Sequence, residues 1–207
     1  MTTRITALLP AGLVVGLTLL AQSSLADDYS QYSGHLALGA CQLSVTDTQN
    51  PPDFSTCSTY VFRGGYRYRD WLTLEGGFQY FNESETERET DLAGSYETAF
   101  SSGNFLVGGE FILPLSSRVQ PYARLGLLHY GARLTVHEYF EGAVEDGKDT
   151  GRDSGFGYYS ALGLMWKTAD ELIFTAELQQ QTLQDVFADS ARPFDANYYS
   201  LMLGIGL

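Results

Sequence analysis

The sequence predicts an all-β fold, an eight-stranded antiparallel up-and-down transmembrane β-barrel, and three observations carry that expectation. Eight segments alternate large apolar residues with small or polar ones at a period of two, the repeat of a strand with two unlike faces. The face opposite the Leu and Phe residues carries Arg63, Glu75, Glu110, Arg124 and Glu177, which a soluble lipocalin-like barrel could not use as its apolar core. The chain also ends on an apolar strand, residues 197–207, whose unpaired edge would be an aggregation hazard. Pairing that strand with the first one closes a barrel, with lipid outside and a crowded interior.

Residues 1–26 read as a secretory signal peptide. Arg4 supplies a basic start, residues 7–21 an apolar run too short to span a bilayer comfortably, and Ser24-Leu25-Ala26 a small-x-small cleavage site. The mature chain, residues 27–207, is expected to begin at Asp27 and to form one barrel domain. No Cys follows the cleavage site, which argues against a lipoprotein. No second apolar run of about 18 residues follows, so a closed barrel is the only way to cross lipid, where backbone groups find no other partners. The formal net charge is −13, and loss of Arg4 makes it one more negative. Such acidity excludes nucleic-acid binding, which needs a basic patch.

The first segment, residues 32–41, puts Leu36, Leu38 and Ala40 on the lipid face and His35, Ala37, Gly39 and Cys41 inside; Asn50-Pro51-Pro52-Asp53 then interrupts pairing. The second, 57–68, sets Tyr60, Phe62, Gly64, Tyr66 and Tyr68 outside and Val61, Arg63, Gly65 and Arg67 inside, and turns at Arg69-Asp70. The third, 71–81, has Leu72, Leu74, Gly76, Phe78 and Tyr80 outside and Thr73, Glu75, Gly77, Gln79 and Phe81 inside. Residues 82–95, with Glu83, Glu85, Glu87, Glu89 and Asp91 offset only by Arg88, read as a solvated loop.

The fourth segment, clearest over 104–113, sends Phe105, Val107, Phe111 and Leu113 out and Gly108 and Glu110 in, before a turn at Pro114 and Ser116-Ser117. The fifth, 119–135, faces Ala123, Leu125 and Leu127 outward and Tyr122, Arg124, Gly126, Leu128 and Tyr130 inward. A charged loop over 138–154 follows, containing Glu145-Asp146-Gly147-Lys148-Asp149. The sixth, 155–167, alternates Phe156, Tyr158, Leu162, Leu164 and Trp166 with Gly157, Tyr159, Ala161, Gly163 and Met165, and turns at Asp170. The seventh, 171–181, sets Leu172, Phe174, Ala176 and Leu178 against Thr175, Glu177, Gln179 and Gln181. After Arg192-Pro193 comes the closing strand.

Connections read as short after the second, fourth and sixth segments and long after the others, which places the N-terminus in the periplasm and the long loops outside. Trp71 and Trp166 fall beside short turns and are expected in a periplasmic aromatic belt, with Tyr60 and Tyr80 nearer the outer one. Export puts Cys41 and Cys57 in an oxidising compartment. Both have inward parity at the ends of one hairpin, so a disulfide between them is expected. Two thiols without a His at zinc spacing make no metal motif, and the acidic loop matches no calcium loop; no metal and no cofactor is assigned. Arg63, Arg67, Arg124 and Lys167 are expected to meet Glu75, Glu110 and Glu177 in a lumen charge network, because a charge withdrawn from water needs a partner. Glu177 is placed as the residue bridging the barrel to Arg63 or Arg124.

Three stretches, Asn104-Phe105-Leu106-Val107-Gly108-Gly109-Glu110-Phe111, Gln120-Pro121-Tyr122-Ala123-Arg124-Leu125-Gly126-Leu127 and the closing strand, make the chain resemble the small outer-membrane barrels of the OmpA/OmpX type. The resemblance covers all of residues 27–207 and implies the outer membrane of a Gram-negative-type envelope. Against the full-length OmpA plan, no peptidoglycan-binding domain is expected after Leu207, and the closing strand ends on Leu rather than the usual Phe or Trp.

A structural or surface-interaction scaffold is the expected function, serving envelope integrity or adhesion through acidic external loops. It would be monomeric and embedded in outer-membrane lipid and lipopolysaccharide, with host-surface, phage or envelope proteins as loop partners. A lipid-modifying enzyme is the first alternative, but it needs a nucleophile, a base and an orienting carboxylate. His35, with inward parity, His129, with outward parity, and His137, beside Glu138, form no such motif with a Ser, so no catalytic residue is assigned. A small-conductance channel is the second alternative, since the interior of an eight-stranded barrel is filled by side chains.

Overall fold

Segments that are apolar on one face only must turn that face to lipid and pair every backbone group along both edges, and a closed ring of strands does both. In the computed structural model of the protein, residues 31–46, 53–86, 89–90, 94–115, 118–140, 147–168, 172–189 and 193–207 are described. They form β1 (Tyr32–Thr46), β2 (Thr56–Arg69), β3 (Leu72–Glu85), a two-residue β4 (Glu89–Thr90), β5 (Gly94–Ile112), β6 (Val119–Phe140), β7 (Gly147–Lys167), β8 (Ile173–Val186) and β9 (Phe194–Gly206). All pairings are antiparallel. Apart from β4, which adds only to β5, the strands close into a ring of eight through β1–β9 and β3–β5. The expected signal peptide, Asn50-Pro51-Pro52, Glu87, Arg88, Asp91, Ser116-Ser117, Glu145-Asp146, Asp170 and Arg192 lie outside the described residues.

The closing strand seals the ring to its end: Leu36 pairs with Ile205, and Gly34 and Leu207 exchange backbone hydrogen bonds of 3.2 and 3.0 Å. Pairing also fixes the stagger. Stepping from Phe156 through its partners His129, Phe105, Phe78, Phe62, Leu36, Ile205 and Phe174 returns to β7 at Trp166. The circuit has slipped ten residues along one strand, which is the shear that tilts the barrel. Those ten residues cover about 33 Å of strand, or about 25 Å of membrane at the usual tilt. Between them the outer wall is apolar, with Leu162 69%, Val107 70%, Leu127 70% and Leu203 63% exposed. Trp71, in the turn before β3, and Trp166 both project outward at the same rim, where Trp71 stacks on Phe111. This is the tryptophan rim; the other is the extended rim.

Two expectations are corrected at the extended rim. Residues 82–95 are not simply a solvated loop: β3 runs to Glu85, Thr86 bridges Phe54, and Glu89–Thr90 pairs with β5. The charged stretch 138–154 is largely strand, since β6 reaches Phe140, β7 starts at Gly147, and Glu138 pairs with Gly147. The fourth strand runs from Gly94, ten residues before the stretch in which its alternation is clearest. The reason is physical: beyond the lipid a strand needs no outward apolar residues, so its alternation disappears while its backbone ladder continues. The asymmetry between the rims therefore lies in strand length, above all in β5, β6 and β7, more than in the length of the connections.

Candidate functional site

Inward-facing side chains fill the lumen in three layers. The lowest lies above a small apolar patch of Ile112, Met165 and Ile173 at the tryptophan rim, and in it two guanidinium groups meet three carboxylates, all buried. Arg124 on β6 is the hub. Its Nε donates to Glu75 Oε2 at 2.9 Å, Nη1 donates to Glu177 and Nη2 to Glu110, its direct cross-strand partner. Arg63 on β2 donates through Nη1 to Glu177 Oε1 at 3.2 Å, with Nε 3.9 Å from Glu75. Glu177 on β8 thus holds both arginines.

Two tyrosines complete the cluster. Tyr122 donates to Glu177 Oε2 at 2.9 Å and lies under the Arg124 guanidinium, while Tyr159 donates to Glu75 Oε1 at 3.0 Å and lies under Arg63. Both rings need a glycine opposite: a Cβ on Gly163 would meet the Tyr122 ring, and one on Gly126 the Tyr159 ring. Parity placed both tyrosines inside, but their hydroxyls as carboxylate ligands were not anticipated. Arg67 and Lys167 are not part of the cluster. Both are half-buried near the tryptophan rim, Arg67 at the β2 bulge between Arg67 and Arg69 and Lys167 at the end of β7, and neither makes an ion pair among the described residues.

Above the charges lies an amide layer. Gln79 donates to Gln179 at 2.8 Å and to Thr59 at 2.9 Å, Gln181 donates to Gln79 at 2.7 Å, and Asn104 donates to Gln181 at 2.7 Å. The third layer is apolar. Leu43, Val45, Phe81, Phe100, Leu106, Leu128, Leu183 and Tyr198 form one buried cluster, with Phe81 stacked on Tyr198 at 3.9 Å between centroids. Phe54, Phe187 and Phe194 continue it toward the extended rim. Asp185 and Phe187 adopt left-handed backbone conformations with φ of 50° and 57°, a cost that persists only where surroundings impose it. Here Asp195 accepts from the Asp185 amide at 2.9 Å and Asp153 from the Phe187 amide at 2.6 Å, turning the Phe187 ring onto the cluster.

Cys41 and Cys57 are joined in a disulfide between directly paired residues of β1 and β2. His35 is buried and shares a 2.7 Å hydrogen bond with Thr175; His129 is exposed and meets Phe156 edge-on; His137 is half-buried opposite Lys148. The three histidines stand at different levels of the wall, and Glu138, next to His137, has the opposite strand parity. No group of three metal-binding side chains occurs among the described residues.

Comparison with proteins of known structure agrees with this architecture. The crystal structure of Neisserial surface protein A matches with a TM-score of 0.53 at 13% identity, covering 86% of this chain and 99% of that one. The attachment invasion locus protein Ail of Yersinia pestis, in complex with the heparin analogue sucrose octasulfate, matches with a TM-score of 0.50 at 12% identity over the same shares. At such identities the likeness shows the fold. No curated protein matches the chain. The model of the outer membrane protein beta-barrel domain matches residues 12–206, a range that includes every strand of the closed ring described above, so the chain belongs to that family and is an outer-membrane protein.

Proposed function

We propose that the protein is a surface-interaction scaffold of the outer membrane: a rigid, plugged, monomeric barrel that presents its extended rim to the outside. One observation carries this reading. All three lumen layers are packed across the bore, while β5, β6 and β7 continue well past the apolar band. A barrel built this way spends its interior on rigidity and its length on exposed wall, which suits display of loops and strand ends to partners. The Yersinia pestis protein, crystallised with a heparin analogue, supports an outward binding role for the architecture. On this reading residues 1–26 are the export signal, and the partners are host-surface, phage or envelope proteins.

Whole cells with the gene deleted and then restored test the proposal. Binding to host-cell surfaces, matrix and phage is expected to fall on deletion and to return with the full chain. It is not expected to return with a chain in which residues 136–150 are replaced by a four-residue turn. Identical binding by deleted and restored cells would remove the proposal.

A further inference from the structure

Most arginines of the described wall are either in the lumen with carboxylates or at the tryptophan rim. Two are neither. Arg133 on β6 and Arg152 on β7 are direct cross-strand partners, both exposed on the outward face, and His137 and Lys148 form the next outward pair but one along the same ladder. Like charges set opposite each other destabilise a sheet. Among the described residues no carboxylate lies within ion-pair distance of Arg133, Arg152 or Lys148. In a chain of net charge −13, a cationic ladder with no carboxylate at ion-pair distance among the described residues calls for an anion.

Its level says which one. Phe156 and His129 end the lipid-facing band, and Arg152 stands four residues beyond Phe156 on the same outward face, about 10 Å higher at the usual tilt. That is headgroup depth. A recess of about 290 Å³ opens there, floored by the paired glycines Gly103 and Gly131 and edged by Tyr80, Ser101, Arg133 and Arg152. A Cβ on Gly131 would meet nothing nearer than a carbonyl oxygen at 3.9 Å, while one on Gly103 would touch the Phe78 ring at 3.1 Å, so the floor is open to a ligand on its Gly131 side. Asp153 also borders it, but this carboxylate already accepts from the Phe187 amide and the Tyr130 hydroxyl. A second recess of about 260 Å³ lies higher, between Arg133, Arg152, His137 and Lys148, and Glu83 and Glu85 border it. The lower recess, without glutamate, is the better anion seat.

We propose that the Arg133–Arg152 ladder above the Gly103–Gly131 floor binds the phosphate groups of a phosphorylated glycolipid in the outer leaflet. Two neighbouring guanidinium groups suit phosphate, which they bind bidentately. A lipid is favoured over a soluble anion because the acidic protein repels anions arriving from solution, whereas a lipid in the same bilayer is already held at the height of the site. The inference rests on the proposed orientation of the extended rim toward the outside.

Native mass spectrometry of the folded protein in detergent micelles, with diphosphoryl lipid A as probe, tests the site. Wild type is expected to retain the lipid, and Arg133→Gln with Arg152→Gln to weaken retention at least about tenfold. Arg69→Gln with Arg118→Gln, a charge-matched change at the tryptophan rim, is expected to bind like wild type. Heat-modifiable electrophoretic mobility identifies folded barrel in every sample. Equal retention by the folded Arg133/Arg152 variant overturns the site. Tighter binding by wild type of soluble sucrose octasulfate than of lipid A overturns the lipid assignment in favour of a soluble glycan. The whole-cell experiment reads the rim and its connections, so its failure and the failure of this site are separate results.

Discussion

Gln79 on β3 hydrogen-bonds Gln179 on β8 at 2.8 Å, and four steps separate those strands in either direction round the ring. A side-chain contact across the full diameter leaves no open bore at that level. The charged cluster closes the level below and the Phe81–Tyr198 stack the level above.

Wild-type protein is therefore expected to give no steady single-channel current in planar bilayers. Glu177→Gln is expected to stay silent too, because the amide and apolar layers remain. A stable ohmic current from the wild type would show that the layers part in the membrane and would favour the channel alternative.

The three carboxylates of the cluster should not respond alike. Glu177 holds both arginines and is 2% exposed, so Glu177→Gln leaves buried Arg63 with only its 3.9 Å contact to Glu75, while Arg124 keeps Glu75 and Glu110. A loss of about 3 to 5 kcal/mol is expected. Glu110 meets Arg124 alone, in a cluster already one carboxylate in excess, and Glu110→Gln is expected to cost about 1 kcal/mol, the scale of one ordinary hydrogen bond. Urea unfolding from lipid vesicles measures both, and equal losses would contradict the hub geometry.

Within the apolar layer, Phe81 is fully buried and stacked on Tyr198. Phe81→Ala is expected to lower stability by about 3 to 5 kcal/mol, the usual cost of emptying an aromatic core site. Phe81→Leu, which keeps most of the volume, should lose clearly less. The same unfolding assay separates them, and indistinguishable midpoints would mean that the upper lumen is solvated rather than packed.

The Cys41–Cys57 disulfide closes a sequence separation of 16 residues. In the chain-entropy account, replacing both residues by Ser is expected to lower stability by about 3 kcal/mol, while barrel formation survives because both strands stay paired on either side. Alkylation and mass spectrometry of protein purified without reductant should find no free thiol; two labelled cysteines would refute the bond.

What the amino-acid sequence determined by itself is the wall. Lipid demands an apolar side chain at every second position, so Leu125, Leu127, Leu162, Leu164, Leu201 and Leu203 declare both their strands and their outward face. The same parity turns Arg63, Glu75, Glu110, Arg124 and Glu177 inward. Where water replaces lipid the demand lapses, and so residues 96–102, 136–140 and 147–154 carried no alternation although they are strand. Parity also says nothing of height. The ten-residue stagger decides which inward side chains share a level, and it arises from hydrogen-bond register between strands far apart in the chain. That register brought Tyr122 and Tyr159 to the carboxylates, left Arg67 and Lys167 below them, and set Gln79 against Gln179. It also set Arg133 beside Arg152 on the outward face above the lipid, a juxtaposition that two residues nineteen positions apart acquire only once β6 and β7 are paired.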